Sequence, residues 1–382
     1  MSFINSNLSI LFYIKDIFYI RQNICPFEFY PVSLYNKLMV EYFKNYLDEP
    51  KWKPIFSFVF IFVLGFVGGI LINNSPTSSP LTTSKYSIRL VDPNNKLISP
   101  LLIADSGIMG NKNTENALKL ETFDLLNIPE MQTISIYYRD LKSGIWAGVG
   151  ENTEYDPGSL LKVPIMIAWF KKAQNDMSVL SQKLLFTGSL SNSGGKEFSN
   201  LVAGNWYTVD YLIQSMISRS DNDAKDVLLA NLEPNLINSV FSDLGIQTWG
   251  DTNGKSKHIS AGIYSRFIRI LYNSTYLNHE LSERALELLS STNFNNGLRA
   301  GVPISINVAH KFGQFQDLSN PNSSIELHDC GIIYKTTNPY LLCVMTRGTS
   351  NIDIKTLESV IQDVSKTVYR MVDKNEIGLP KN

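Results

Sequence analysis

This chain has too few cysteines, too few histidines and too little charge for several common protein classes. Its 382 residues include three cysteines, Cys25, Cys330 and Cys343, with no C-x-x-C pair. That number cannot build a disulfide framework or a cysteine-based metal site. The four histidines, His258, His279, His310 and His328, show no H-x-x-x-H spacing and have no cysteine neighbours, so no metal centre is expected. Charged residues make up 18%, below the usual quarter. Lys and Arg total 34 against 35 Asp and Glu, a net charge of −1. Neither a nucleic-acid partner nor a solvating acidic tail fits that balance. A hydrophobic content of 44% excludes global disorder, and the length suffices for one large or two ordinary domains.

One long apolar run is present. Ile55–Ile72 (IFSFVFIFVLGFVGGILI) has 18 residues, no charge and one Ser. As a helix rising about 1.5 Å per residue it spans roughly 27 Å, close to a bilayer core. Residues 1–54 precede it and no small-x-small site follows closely, which argues against a cleaved signal peptide. Lys37, Lys44, Lys51 and Lys53 lie before the run, and the next cations after it are Lys85 and Arg89. The positive-inside rule then predicts a cytoplasmic segment 1–54, rich in aromatics, and a transmembrane helix at 55–73. A Ser/Thr/Pro-rich extracytoplasmic linker at 74–95 (NSPTSSPLTTSKYS at its start) and a globular domain at 96–375 follow.

Within that domain Ile134–Tyr138 alternates and is β-branched, Asp140–Gly144 (DLKSG) reads as a turn, and Ile145–Val149 resumes, which predicts a hairpin. Helical stretches run from about Leu160 to Leu298. Strands are predicted at Asn307–Phe312, Gly331–Tyr334 and Leu341–Thr346, and a last helix near Asp353–Val372. Strands at both ends with helices between predict an α+β fold: an antiparallel sheet, flanking helices and a mainly helical subdomain.

Three short motifs occur in order: Ser159-Leu-Leu-Lys162 after the turn Tyr155–Gly158, Ser220-Asp221-Asn222 between two helices, and Lys311-Phe312-Gly313 in a strand. A serine at a helix start can use free backbone N–H groups to stabilise an oxyanion. Lys162, three residues on, shares its face and can act as base if burial and a second cation depress its pKa. Lys311 could be that cation. Ser220 offers a hydroxyl for proton relay, and Asn222 an amide to hold a substrate amide. Gly313 lets a substrate approach the strand, and the N–H of Gln314 could be a second oxyanion donor. A single S-x-x-K tetrad arises by chance about once in a chain of this size. A second one, Ser193–Lys196, lies in a Gly/Asn/Ser-rich loop and reads as a solvated turn. The information is in the order, the context and the separations of 61 and 91 residues.

The stretches ISIYYRDLKSGIWAGVGENTEYDPGSLLKVPIMIAWF, RSDNDAKDVLLANL, VAHKFG and HDCGIIYKTTNPYLLCVMTRG resemble, over about residues 130–370, the catalytic domain of class A β-lactamases, among the penicillin-recognising serine enzymes. The resemblance implies a serine hydrolase that needs no cofactor, with Ser159 as nucleophile, Lys162 as base, Ser220 as proton shuttle, Asn222 as substrate ligand and Lys311 as electrostatic partner. Its substrate would be a β-lactam or a peptidoglycan stem peptide. A D,D-peptidase and a degenerate peptidoglycan- or partner-binding domain are the alternatives.

Three departures from the family pattern stand out. The family's Glu that activates the deacylating water has no counterpart in the short interval Gly245–Ser260, where Asp251 is the one carboxylate. Glu233-Pro-Asn-Leu236 superficially resembles the string around that Glu, but it follows Asn222 by only eleven residues and reads as a helix cap. Phe312 stands where the family has Thr or Ser, whose hydroxyl helps bind the substrate carboxylate. Cys330 stands where an Arg often serves that carboxylate; Lys311 remains, and Arg347 is a candidate to compensate. Slow deacylation is therefore expected. Cys330 and Cys343 would lie on adjacent strands and are read here as free buried thiols, with pairing as the alternative. His310 is read as a neutral strand residue outside the site.

Overall fold

The computed structural model describes residues 88–89, 96–103, 110–188, 199–246, 258–320 and 322–377. All belong to the second of two units into which the chain divides, Thr82–Asn382. The apolar run Ile55–Ile72, the Ser193–Lys196 tetrad and Asp251 lie outside the described residues. Among the described residues no helix is long and apolar enough to cross a membrane.

Ile88–Arg89 (β1), inside the stretch read as linker, pairs with Leu101–Ile103 (β2). Helix α1 (Lys112–Thr122) is capped by Asn111, whose side chain accepts from the backbone of Asn113 and Thr114. Strands β3 (Met131–Asp140) and β4 (Trp146–Val149) form the predicted hairpin. Glu154–Tyr155 (β5) leads into a 3₁₀ turn, Gly158–Leu161, and then helix α2 (Lys162–Ala173). The short pair β6 (Lys183–Leu185) and β7 (Trp206–Thr208) precedes helices α3 (Val209–Ser218), α4 (Asn222–Ala230) and α5 (Pro234–Asp243). Strand β8 (Ile259–Ser260) pairs with β5, and helices α6 (Ala261–Tyr272) and α7 (His279–Ser290) follow. The chain closes with β9 (Val308–Phe315), β10 (Ile325–Ile333), β11 (Tyr340–Gly348) and α8 (Ile354–Asp373).

The main sheet is antiparallel and five-stranded, in the order β4-β3-β11-β10-β9. On one face α8 buries Leu357, Val360, Ile361, Val364 and Val368, a helical-period stripe, against Val344, Leu342 and Ile136. On the other face lies the helical part, including Tyr264 and Phe267 of α6 and most of α2. Burial on both faces explains why β3 is buried continuously from Ile134 to Asp140. Strand β10 begins at Ile325, six residues before the predicted start, because its polar run His328-Asp329-Cys330 hides the apolar pattern while being fully buried and paired. Cys330 and Cys343 face each other in register and are disulfide-bonded, which corrects the reading as free thiols.

Candidate active site

Each motif reaches the site through a distinct local device. Helix α2 is almost wholly buried, so Lys162 at its first position is only 1% exposed. Ser159 sits one residue into the 3₁₀ turn before it rather than in the α-helix itself. The turn is held by Leu160 N–H to Pro157 O at 2.9 Å, by Gly158 N–H to the Asp156 carboxylate at 3.0 Å, and by Tyr264 O–H to Leu160 O at 3.1 Å. Gly158 has φ +49°, in the left-handed region that favours glycine.

Ser220 lies between α3 and α4 with φ +57°, a strained value for a serine. Its neighbours hold it there. The Asp221 carboxylate caps α4 through Ala224 N–H and accepts from Ser215 Oγ at 2.7 Å, and Arg219 donates to Ser215 Oγ at 2.8 Å.

These devices bring the motif side chains together. Lys162 Nζ lies 2.9 Å from Ser159 Oγ, 3.0 Å from Ser220 Oγ, 2.5 Å from Ser220 O and 2.7 Å from Asn222 Oδ1. Lys311 Nζ, from edge strand β9, lies 2.9 Å from the same Ser220 Oγ and 3.1 Å from Phe312 O. Burial holds Lys162 well below the ordinary lysine value, and the positive charges of Lys311 and Lys225 push it further down against Asp221 and Asp226. Burial also brings Lys311 down to about 7, against the opposing pull of Asp329.

Strand β9 lies directly on the serine turn. A Cβ on Gly313 would sit 2.4 Å from Pro157 O, and one on Gly158 would sit 2.4 Å from Gln314 O and 3.2 Å from Gln314 N. The opening expected for substrate at Gly313 is therefore filled by the turn itself. The same contact sets the Gln314 peptide against the residue preceding Ser159.

Arg347 does not stand ready for a substrate carboxylate: its Nε donates to Glu326 Oε1 at 2.6 Å, its Nη2 donates to Glu154 O at 2.7 Å, and it stacks on Tyr155. Cys330 is committed to its disulfide. Glu233 stands at the start of α5 and pairs with Lys172. His310 is buried and bonded through Nδ1 to Asp329 at 2.8 Å.

Sequence reasoning missed the group that grips the serine turn from β10. Glu326 Oε2 accepts Asp156 N–H at 2.9 Å, and His328 Nε2 donates to Asp156 O at 2.9 Å. Both polar groups of one backbone residue are thus held by buried side chains. The alternation of Glu326 and His328 on a strand two positions apart was a signal that could have located them. Among the described residues no cluster of three or more His, Cys, Asp or Glu side chains is placed to hold a metal.

An antiparallel five-stranded sheet between helical layers, with a Ser–Lys–Ser–Lys cluster where an edge strand meets a buried helix, defines the class: the β-lactamase type of α+β fold. The chain belongs to the beta-lactamase enzyme family, whose model matches residues 123–372. Similar solved structures include a mutant of PBP-A as its acyl-enzyme complex with penicillin G, at 20% identity and TM-score 0.59, covering 70% of this chain and 98% of that one. The TLA-3 extended-spectrum β-lactamase is 17% identical with TM-score 0.60, covering 68% and 99%. A β-lactamase from Burkholderia phymatum is 16% identical with TM-score 0.57, covering 67% and 98%. No curated protein matches the chain in sequence.

Proposed function

We propose that this chain is a membrane-anchored serine hydrolase that opens an amide or β-lactam bond through an acyl-enzyme at Ser159, with slow deacylation. One observation carries the reading: Lys162 Nζ touches both Ser159 Oγ and Ser220 Oγ, while Lys311 Nζ touches Ser220 Oγ from the other side. A neutral Lys162 amine donates its two protons to the acceptor-only oxygens Ser220 O and Asn222 Oδ1, which leaves its lone pair for the Ser159 proton.

In the acylation step Ser159 Oγ forms a bond to the carbonyl carbon and its proton passes to Lys162. The carbonyl oxygen becomes an oxyanion, received by the N–H groups of Ser159 and Gln314. The C–N bond then breaks, and the departing nitrogen takes a proton through Ser220, which Lys162 resupplies. Lys311 stabilises negative charge beside Ser220. The ester that remains needs water for its breakdown, and Glu233 is engaged with Lys172 on the surface.

The anchor is the apolar run Ile55–Ile72, with residues 1–54 in the cytoplasm and the hydrolase domain outside. Intact-mass spectrometry of the full chain with benzylpenicillin over time tests the chemistry. An adduct on Ser159 that forms and then decays slowly supports the hydrolase, and one that does not decay points to a penicillin-binding D,D-peptidase. No adduct favours a binding domain and overturns the reading.

A further inference from the structure

Strand β9 is the edge of the sheet, so Lys311 takes its position in the sheet from β10 alone. Register places four side chains in one row on the face that carries the site. Lys311 stands opposite Cys330, Cys330 opposite Cys343, and Cys343 opposite Tyr137. Directly opposed residues of antiparallel strands point to the same face, with Cβ atoms about 4.5–5.5 Å apart. Cys330, Cys343 and Tyr137 belong to the core on the helical side, and from that face Lys311 Nζ reaches Ser220 Oγ at 2.9 Å. The disulfide is thus the next member of the row that delivers Lys311. Both cysteines and Lys311 are wholly buried.

The strands have no slack beside Cys330. A Cβ on Gly331 would lie 2.3 Å from Ala309 O and 2.4 Å from His310 Cβ. On the opposite face His310 Nδ1 bonds to Asp329 at 2.8 Å. These two contacts pin β9 to β10, and the bridge pins β10 to β11. Register alone does not need the bridge, since β10 and β11 pair at nine positions, Ile325 to Ile333. What the bridge adds is local. Two sulfurs joined at about 2 Å give the layer beside the Lys311 stem a fixed volume. Unjoined, they would separate to van der Waals contact in a close-packed layer and displace their neighbours. A disulfide is also apolar, which keeps that layer dry, in keeping with the lowering of Lys311 to about 7 by burial.

We infer that the Cys330–Cys343 disulfide is a positioning element of the active site, which holds Lys311 against Ser220 Oγ. This rests on the reading of Ser159 as nucleophile and Ser220 as proton relay.

The test removes the bridge from the full chain in two ways. Cys330→Ala with Cys343→Ala leaves a void, and Cys330→Val with Cys343→Ala keeps the number of heavy atoms. Acylation of Ser159 by benzylpenicillin is read by intact mass across pH. In the folded variants it should slow by up to about 10²-fold, the cost of a displacement of about 1 Å. The rising limb of its pH profile should move to higher pH, because a retreating Lys311 presses less on Lys162. In a Lys311→Met background, removing the bridge should cost no further acylation, since coupled sites are not additive. A lower melting temperature with an unmoved pH profile, or a full further loss in Lys311→Met, makes the bridge merely structural and overturns the inference. If neither variant folds, the same profile is read on the wild-type chain reduced with a phosphine, whose intact mass reports the opened bridge. A chain that folds in none of these forms makes the bridge a general stability element and also overturns the inference. If the bridged wild-type chain forms no adduct, the nucleophile reading fails. The bridge is then judged by the rise in melting temperature between about pH 7 and 10, where folding releases the Lys311 proton. A flatter rise in the second variant supports the inference, and an equal rise overturns it.

Discussion

Lys162 and Lys311 approach one hydroxyl from two sides, their Nζ atoms 3.0 and 2.9 Å from Ser220 Oγ. Burial pushes both lysines below their usual value, and the charge of Lys311 pushes Lys162 further down. Acylation should therefore rise with pH as Lys162 loses its proton, with a midpoint well below that of a free lysine. Lys311→Met keeps a long buried stem but removes the charge. Lys162 should then hold its proton more tightly, and the rising limb should move to higher pH. A pH profile of acylation that does not move in this variant would separate the two lysines electrostatically.

The same pair shapes stability. Lys311 binds its proton more weakly folded, at about 7, than unfolded, at 10.5. Between those values the unfolded chain holds more protons, so stability should rise as pH rises from about 7 toward about 10. Above that the trend should reverse, since burial raises Tyr138 and Tyr264 well above the ordinary tyrosine value and the unfolded chain then ionises first. Thermal melts across this range check both limbs, and Lys311→Met should flatten the first.

Gly158 and Gly313 let the serine turn and strand β9 touch. A methyl on either would meet backbone oxygen at 2.4 Å. Gly313→Ala should cost acylation far more than stability, because a displacement of about 1 Å at the reacting atoms costs about 10²-fold. Acylation rates beside melting temperatures decide this. A folded Gly313→Ala variant with normal acylation would dissociate the contact from the oxyanion donors.

The grip of β10 on the serine turn should be separable from general stability. Glu326 is held below the ordinary carboxylate value: burial alone would raise it, but hydrogen bonds and charge from His328 and Arg347 outweigh that. His328→Leu removes the His328 hydrogen bond to Asp156 O, a loss of about 0.5–1.5 kcal/mol. His328→Gln puts an amide N–H near the Nε2 position and should restore acylation and local protection together. Hydrogen exchange over residues 154–160 is the readout. Exchange equal in the Leu and Gln variants would remove His328 from the positioning of Ser159.

Much of this site was legible in the residues, and the illegible parts share a cause. Ser159, Lys162, Ser220 and Lys311 stood out because chemistry fixes residue type and local structure fixes spacing. Helix α8 was visible because its periodicity serves one buried face, and the hairpin Met131–Val149 because β-branched runs flank the turn Asp140–Gly144. Strand β10 was cut short because Glu326, His328 and Asp329 spend their polarity on other elements, on Asp156, His310 and Leu298. The partners of Arg347 and Cys330 were hidden for a related reason. They depend on cross-strand register, which places Glu326 opposite Arg347 and Cys330 opposite Cys343 and which no local pattern encodes.

The anchor can be tested without any substrate. The uncharged run Ile55–Ile72 and the four lysines before it place everything after residue 73 outside the cytoplasm in the proposed topology. A reporter fused after residue 90 that works only when exported should be active. Activity of a cytoplasm-only reporter at that position would reverse the orientation.

The acyl-enzyme should form readily and break down slowly. Its formation needs Ser159, Lys162, Ser220 and Lys311, which the structure brings within hydrogen-bond reach of one another. Its breakdown needs an activated water, and general-base help there is worth about 10²–10⁴-fold. The string around Glu233 does not supply that base, since Glu233 sits with Lys172 at the surface. Two carboxylates remain to be separated by experiment. Asp226 stands one helical turn after Asn222 on α4, on the same face; it pairs with Lys225 at 2.9 Å, and its charge acts on Lys162. Asp251 lies outside the described residues. With a reactive lactam, Ser159→Ala should abolish the adduct and Lys162→Ala should slow its formation severely, while Ser193→Ala in the second tetrad should do neither. The adduct on the parent chain should outlast base-assisted hydrolysis by about the factor above. Fast turnover that collapses in Asp226→Asn or in Asp251→Asn would identify that residue as the base, and fast turnover that survives both would defeat the slow-deacylation expectation.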